Sequence, residues 1–376
     1  MSRIETFSSD QYLVTHRVEE AGLRLDAFLK GRYRKRSREQ IKKVIDSGSI
    51  TIKRNQSPHL MVGKLKPSSI LIPGDEILVM SERKPEPEVS FDYKVIFEDD
   101  IFLIINKPPN LPVHPAGRYF FNTLLVHLKT EALKIPAKAG LEFYLVHRID
   151  KETSGVLVLT KDRDACVHIT KQFAERSTEK TYFAIVKGIP PENFEVNLAM
   201  KRAERSLIDL KMMISPENEG GQSAQTGFKR LGVYGAYSLL ECYPKTGRQH
   251  QIRLHLESAG HPIVGDKLYG LPEEMALNFY ERKHLSAEAQ ALLILPRHAL
   301  HAASIRFENP LNGERLEFRA ELPQDLKEFL EAQSKVRPNL NIPDQPSPRL
   351  QILRRLPAHI ADPTLQFLSM LEHEQT

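Results

Sequence analysis

The chain has 376 residues, room for two to three domains at roughly 150 residues each, and its 41% hydrophobic content is ordinary for a globular protein. No apolar run approaches the roughly 18 residues of a membrane span, and the polar first ten residues lack a secretory signal core, so a soluble cytoplasmic protein is expected. Lys and Arg total 53 against 48 Asp and Glu, a net +5, and the two cysteines, Cys166 and Cys242, sit in apolar surroundings without ligand spacing, which excludes a disulfide framework and a thiolate metal site.

Residues 1–15 read as an N-terminal tail, and a small module follows over residues 16–80. Leu23, Leu25, Phe28 and Leu29 have helical spacing, and Ser37 with Gln40 forms a capping box that opens a second helix. Ile41, Val44 and Ile45 make that helix's apolar stripe, Gly48 ends it, and Ile50 and Ile52 alternate as a strand. Further on, residues 70–72 and 77–79 flank Pro73-Gly74-Asp75 and predict a hairpin. Charge is concentrated here. The window 30–43, KGRYRKRSREQIKK, holds eight basic residues against Glu39, a net +7, so the rest of the chain nets −2. Such a helix suits a phosphate backbone, because each neutralised phosphate releases counterions; the alternative is a solvated surface face. The pattern RLDAFL, SREQIKKVIDSG, SITI and PGDEILV resembles the alpha-L RNA-binding domain, first described in a small-subunit ribosomal protein. That resemblance implies RNA contact by Arg34, Lys35, Arg36, Arg38, Lys42 and Lys43.

Residues 81–90, SERKPEPEVS, are charged and proline-punctuated and predict an extended linker. A second domain then opens with strands over 91–97 and 101–105 around the acidic turn Glu98-Asp99-Asp100, before Asn106-Lys107-Pro108-Pro109 stops the ladder. His114, in the loop that follows, is either a substrate contact or simply an exposed loop histidine.

The stretch 145–160, LVHRIDKETSGVLVLT, combines strand, polar turn and strand, and holds Asp150 at a rigid corner beside Arg148. Such an aspartate either does chemistry or bonds backbone amides of its own turn. Residues 162–174 predict a helix with Asp162 and Asp164 in its first turn, where the dipole favours acids. Tyr182 begins a strand that ends at Gly188; it is either a half-buried core tyrosine or a flat ring for stacking on a base. The insert 200–227, with Lys201, Arg202 and Arg205, is a mobile loop over a ligand or a solvated hairpin.

Residues 245–270, KTGRQHQIRLHLESAGHPIVGDKLYG, predict a turn at Thr246-Gly247 feeding a short helix with Ile252, Leu256 and Ala259 inward and Arg248 and Arg253 near its start. His250, His255 and His261 lack a carboxylate or thiolate companion at ligand spacing, so no metal site is expected. H-R-x-D at 147–150 occurs without a Gly-rich nucleotide loop, D-F-G or P-loop, which excludes phosphoryl transfer. A zinc base deaminase needs H-x-E with P-C-x-x-C, also absent. Asn312-Gly313 between 304–307 and 316–318 predicts a hairpin, 324–332 a closing helix, and the proline-rich segment from 334 an extension.

HRIDKETSG, KTYFAIVKG and TGRQHQIRLHLESAGHPIVGDKLYG, in this order behind the basic module, resemble the RluA-type pseudouridine synthase family over residues 91–323. The resemblance implies an α+β fold with a mixed, largely antiparallel sheet over 91–333, and isomerisation of an RNA uridine without cofactor; no metal, no membrane partner and a monomer are expected besides. By motif position it makes Asp150 the catalytic aspartate, Tyr182 the stacking aromatic, Arg253 the aspartate's basic partner and Arg148 the side chain that fills the space left by a flipped base; Arg248 joins the substrate-binding set. Ile149 stands where the family usually has leucine, a volume-conserving exchange. The basic module favours large-subunit ribosomal RNA, with transfer RNA as the alternative, and an inactive RNA-binding relative of the same fold is the non-enzymatic alternative. Whether Asp150 attacks sugar or ring, or removes a ribose proton, stays open.

Overall fold

The computed structural model describes residues 2–6, 11–33, 36–54, 65–82, 85–135, 140–204, 206–282 and 284–335. The chain divides into two units after Glu86, inside the expected linker.

In the first unit β1 (Ser2–Thr6) and β2 (Gln11–Arg17) precede α1 (Leu25–Arg32) and α2 (Arg38–Asp46), then β3 (Ile50–Lys53) and β4 (Glu76–Glu82) complete a sheet ordered β1-β2-β4-β3. Ser37 caps α2 in a reciprocal box with Gln40, as the spacing predicts, and Leu25, Phe28, Leu29, Ile41 and Ile45 close on Val14, Ile50, Ile52, Ile77 and Val79. Two expectations are corrected. Residues 1–15 are not simply a tail, because β1 pairs with β2 and β2 with β4; the inward position after Val14 is His16, buried and bonded to Tyr33 Oη at 2.9 Å, and a polar inward residue hides the alternation. Nor do 70–72 and 77–79 form a hairpin. Asp75 takes Arg54 Nε at 3.0 Å and the Ile72 amide at 3.0 Å, while the turn docks on Val18, so β4 runs to β2 and β3 instead.

The second unit opens with β5 (Lys94–Glu98), β6 (Phe102–Lys107), α3 (Leu124–Leu133), β7 (Tyr144–Leu145), β8 (Ser154–Thr160), α4 (Arg163–Ala174) and β9 (Glu179–Lys187). β10 (Asn193–Asn197), β11 (Met200–Arg202), β12 (Met212–Ile214), β13 (Gln225–Tyr234) and β14 (Tyr237–Pro244) follow. After them come α5 (Gln251–Ser258), α6 (Glu273–Arg282), α7 (Ala287–Leu293), β15 (Leu300–Glu308), β16 (Arg315–Arg319) and α8 (Gln324–Lys335). The large sheet runs β10-β13-β14-β9-β15-β8-β6-β5, with β7 on β8 and β16 on β15; β15 and β8 are parallel and its other ladders antiparallel. This is the expected mixed, largely antiparallel α+β architecture.

β8 lies near the middle and every residue of it is buried, which explains its unbroken apolar run. Val156 and Val158 pack beneath α4 with Ile169, while Leu157 and Leu159 pack beneath α3 with Leu124 and Leu128. Gly155 has φ +112°, and a Cβ there would stand 2.1 Å from the Ala302 carbonyl oxygen, so only glycine lets β8 close on β15.

The ladder of β6 runs through Asn106 and Lys107 and stops at Pro108, two residues later than the motif suggests. The linker likewise ends earlier than residue 90, since Val89 and Phe91 already pack on the second unit's core. In the insert, β11 pairs with β12, and Met200 and Ile208 are buried against Leu254 and Leu268, so this hairpin is packed, not solvated; Arg205 lies outside the described residues. The extension beyond residue 335 also lies outside them.

Candidate active site

Three stretches converge on one cleft of about 460 Å3: the turn before β8, the end of α4 with the start of β9, and the turn that feeds α5. The first presents Asp150, and its neighbours explain why that side chain is steady. Ile149 is buried among Leu157, Leu103 and Leu111. The Lys151 carbonyl accepts from Lys107 Nζ at 3.0 Å, Glu152 takes Lys267 Nζ on both oxygens at 2.9 Å, Thr153 Oγ1 meets His298 Nε2 at 2.8 Å and Ser154 Oγ meets His301 Nδ1 at 2.9 Å. The turn is tied down on every side, and Asp150 is left facing the cleft.

While the Asp150 backbone carbonyl accepts the Thr153 amide at 3.1 Å, the Asp150 carboxylate takes no amide of its own turn among the described residues. Its Oδ2 accepts from Arg253 Nη1 at 2.7 Å, and His250 Nε2 stands 3.9 Å away. Structural bonding falls instead to Asp266, fully buried, which takes Arg253 Nε at 2.6 Å and Nη2 at 2.9 Å together with the Leu268 and Tyr269 amides at 2.9 and 3.0 Å. Tyr269 also lies against the guanidinium, its ring centroid 5.2 Å from Arg253 Cζ. Arg253 is therefore oriented by one carboxylate so that its free edge meets another.

Burial alone pushes the Asp150 carboxyl pKa up, but the surrounding His250, Arg253 and His298 outweigh it and hold it well below the usual carboxylate range. Burial lowers His250 and His298 to about 4, so both are uncharged at neutral pH and the Arg253 guanidinium is the cation that keeps Asp150 ionised. His250 is itself held unusually, with φ +58° at the residue before α5 and Nδ1 3.0 Å from Tyr269 Oη, which also accepts the Met212 amide at 3.0 Å. A non-glycine residue there costs roughly 1 kcal/mol or more and aims the ring at Asp150.

Tyr182 lines the same cleft from β9, between two parts of the core, and burial and then Asp150 push its phenol above the ordinary 10.0. Arg148 and Arg248 are exposed at the cleft, the latter donating Nε to the Ser223 carbonyl at 3.1 Å. All five second-unit residues singled out from the motifs thus line one cleft. His114 is half-buried and is not among the residues lining it. His255 and His261 are used elsewhere, on Thr226 Oγ1 and the Leu198 carbonyl, and on the Lys187 carbonyl. In the first unit Arg38, Lys42 and Lys43 are exposed on α2 and Arg36 lies over the Tyr33 ring at 5.0 Å, while Arg34 and Lys35 lie outside the described residues.

Residue-by-residue reading missed Lys107, Glu152, His250, Asp266, Lys267 and His298. Asp266 had a signal, since G-D-K-L-Y-G puts an acid and aromatic between two glycines, but nothing local says that its partner is Arg253, 13 residues away. Lys107 is fully buried and donates to the Pro108, Leu111 and Lys151 carbonyls at 2.8, 3.1 and 3.0 Å. It joins the loop after β6 to the residue following Asp150.

With this sheet and cleft, the chain belongs to the RNA pseudouridine synthase family, whose profile, described as RNA pseudouridylate synthase, matches residues 101–258. It is an enzyme of the RluA type within that family. It is 33% identical over 84% of its length to ribosomal large subunit pseudouridine synthase D of Zymomonas mobilis, covering 95% of that protein. It is 34% identical over 83% of its length to the synthase of the same name from Neisseria meningitidis serogroup A, covering 79% of it. Ribosomal large subunit pseudouridine synthase C of Vibrio parahaemolyticus is 31% identical over 82% of this chain and 92% of its own.

Proposed function

We propose that this chain converts specific uridines of large-subunit ribosomal RNA to pseudouridine, with Asp150 as the catalytic residue. The observation that carries this reading is the 2.7 Å contact between Asp150 and an Arg253 already fixed by Asp266, at the edge of a cleft that Tyr182 also lines. The names of its relatives, synthases C and D of the ribosomal large subunit, support the choice of RNA.

The reaction breaks the N1–C1′ bond of uridine and forms a C5–C1′ bond, while a proton leaves C5 and N1 gains one. No electrons are lost or gained, so the protein has to supply position, charge and proton transfer. The uridine leaves its stack at a cost of about a few kcal/mol, the Tyr182 ring receives the uracil face, and Arg148 fills the space left behind. Stacking of this kind is worth roughly 1 to 3 kcal/mol per base. Asp150 acts ionised, held so by Arg253. On the exposed face of α2, Arg38, Lys42 and Lys43 suit the phosphate backbone of the same RNA, with Arg34, Lys35 and Arg36 in the set. The enzyme acts as a cytoplasmic monomer.

The test is to map pseudouridines in ribosomal and transfer RNA with and without this protein, and to assay Asp150→Asn in single turnover. The variant should bind RNA within about threefold of wild type and form no pseudouridine, at least ~10³-fold down as expected for loss of a covalent or acid–base group. Turnover near wild type would remove Asp150 from the reaction, and modification confined to transfer RNA would overturn the ribosomal target.

A further inference from the structure

The cleft is lined by five basic residues, Arg148, Arg176, Lys180, Arg248 and Arg253, and by one acid, Asp150. Arg253 is accounted for by Asp150 and Asp266. Lys180 is different. It lies on β9 two residues before Tyr182, so both side chains leave the same face of the strand. Its Nζ stands 5.6 Å from the Phe173 ring centroid, and a Cβ on Gly247 would lie 4.0 Å from it, which places the ammonium between the end of α4 and the turn that feeds α5. Burial lowers its pKa.

Arg176 sits just after α4 with φ +61° and reaches the same rim. Among the described residues neither side chain pairs with an acid. Other cations of this unit do: Arg297 with Asp325 at 2.7 Å, Lys267 with Glu152 at 2.9 Å and Arg306 with Glu179 at 3.0 Å. A half-buried ammonium without a counter-ion is costly, and the cost is offset when the ligand carries the anion. A uridine extruded by rotation about its backbone brings its flanking phosphates to the mouth of the pocket that receives the base.

We propose that Lys180 and Arg176 form a subsite for a phosphodiester of the RNA strand that bears the target uridine, next to the Tyr182 ring. This rests on the reading of the cleft as the uridine site. The subsite holds the strand while the base is out of the helix, and because the ammonium is partly desolvated it contributes more than a rim lysine in water.

Fluorescence-anisotropy titration of labelled oligouridylate across salt concentrations tests it, using the full-length chain and Lys180→Gln, Arg176→Gln and Lys180→Arg. Each Gln variant should weaken binding about tenfold, the effect of one charge-assisted hydrogen bond. Each should also make the slope of log affinity against log salt shallower by about 0.7, the value for one phosphate contact on a single strand. Lys180→Arg should restore both. On ribosomal RNA the Gln variants should raise KM by more than they lower kcat. Slopes equal to wild type in both Gln variants, or kcat falling with KM unmoved, would overturn the subsite. Thermal melts identify a misfolded Lys180→Gln protein, in which case the exposed Arg176→Gln decides alone. Failure of the wild-type protein to modify ribosomal RNA would sink the ribosomal target and leave the oligouridylate result standing.

Discussion

Asp266 holds Arg253 by its Nε and Nη2 edge at 2.6 and 2.9 Å, which turns Nη1 onto Asp150 at 2.7 Å. One guanidinium thus serves a structural acid and a cleft acid at once, through bonds that a point charge cannot reproduce. Arg253→Lys should therefore keep the charge and lose the geometry, lowering kcat about 10²-fold or more, the usual effect of losing one oriented electrostatic group. Asp266→Ala should cost about 3–5 kcal/mol of stability as well, because it breaks a buried ion pair and leaves the guanidinium with Asp150 as its remaining acid partner. Single-turnover rates and urea unfolding read both, and an Arg253→Lys enzyme at the wild-type rate would show that the bridge is dispensable.

Acid should loosen this protein before its carboxylates titrate. Burial lowers His250, His255, His298 and His301 from 6.5 to about 4 and His147 to about 3. As pH falls below 6.5 the unfolded chain takes up these protons first and the folded chain does not, so stability is fully present above that value and drains away towards 4. The shifted carboxylates Asp150 and Asp266 act lower: their contribution is present above 3.8 and is lost as pH falls through their depressed folded values. Urea midpoints should thus fall steadily from pH 7 to pH 5; a flat profile over that range would mean that the imidazoles are solvated.

Gly155→Ala should prevent the β8–β15 contact from forming. The added Cβ meets the Ala302 backbone at 2.1 Å in a φ +112° conformation, and backbone cannot yield as a side-chain tip does. We expect little soluble protein, or a loss above about 4 kcal/mol, the range of overpacking combined with backbone strain. A variant that melts like wild type would contradict the close approach.

Lys107→Met keeps length and removes three donors at once, leaving the Pro108, Leu111 and Lys151 carbonyls without them. Each unsatisfied buried group costs about 1–3 kcal/mol. Because the Lys151 carbonyl follows directly on Asp150, activity should fall by more than the folded fraction does. Comparison of rates at a temperature where circular dichroism shows both proteins folded makes this test; equal rates there would confine Lys107 to stability.

Much of this molecule follows from short-range pattern. The capping box at Ser37 and Gln40, the helix α4, the buried run of β8 and the hairpin around Asn312-Gly313 lie where propensity and turn chemistry put them, because each depends on residues within a turn or a ladder step; Asp162 is the cap of α4 rather than a first-turn residue. Asp150, Tyr182 and Arg253 were legible as motif positions. What the local pattern misjudged depends on distant partners: β2, whose inward His16 needs Tyr33 to make it a core residue, and the segment before β4, whose turn is captured by Arg54 and Val18.

The α+β class, several individual helices and strands, and the three stretches that meet at the cleft were thus readable along the chain. The family resemblance already paired Asp150 with Arg253, 103 residues away; what needed the folded chain was that Asp266, not the Asp150 side chain, takes the backbone amides beside that arginine. The tertiary structure also set Lys107 under the turn and left Lys180 in the cleft with no acid partner among the described residues. The reason is physical: helices and turns are selected by neighbours along the chain, whereas the charge and orientation of a buried side chain are set by whichever groups the fold brings within a few ångströms of it.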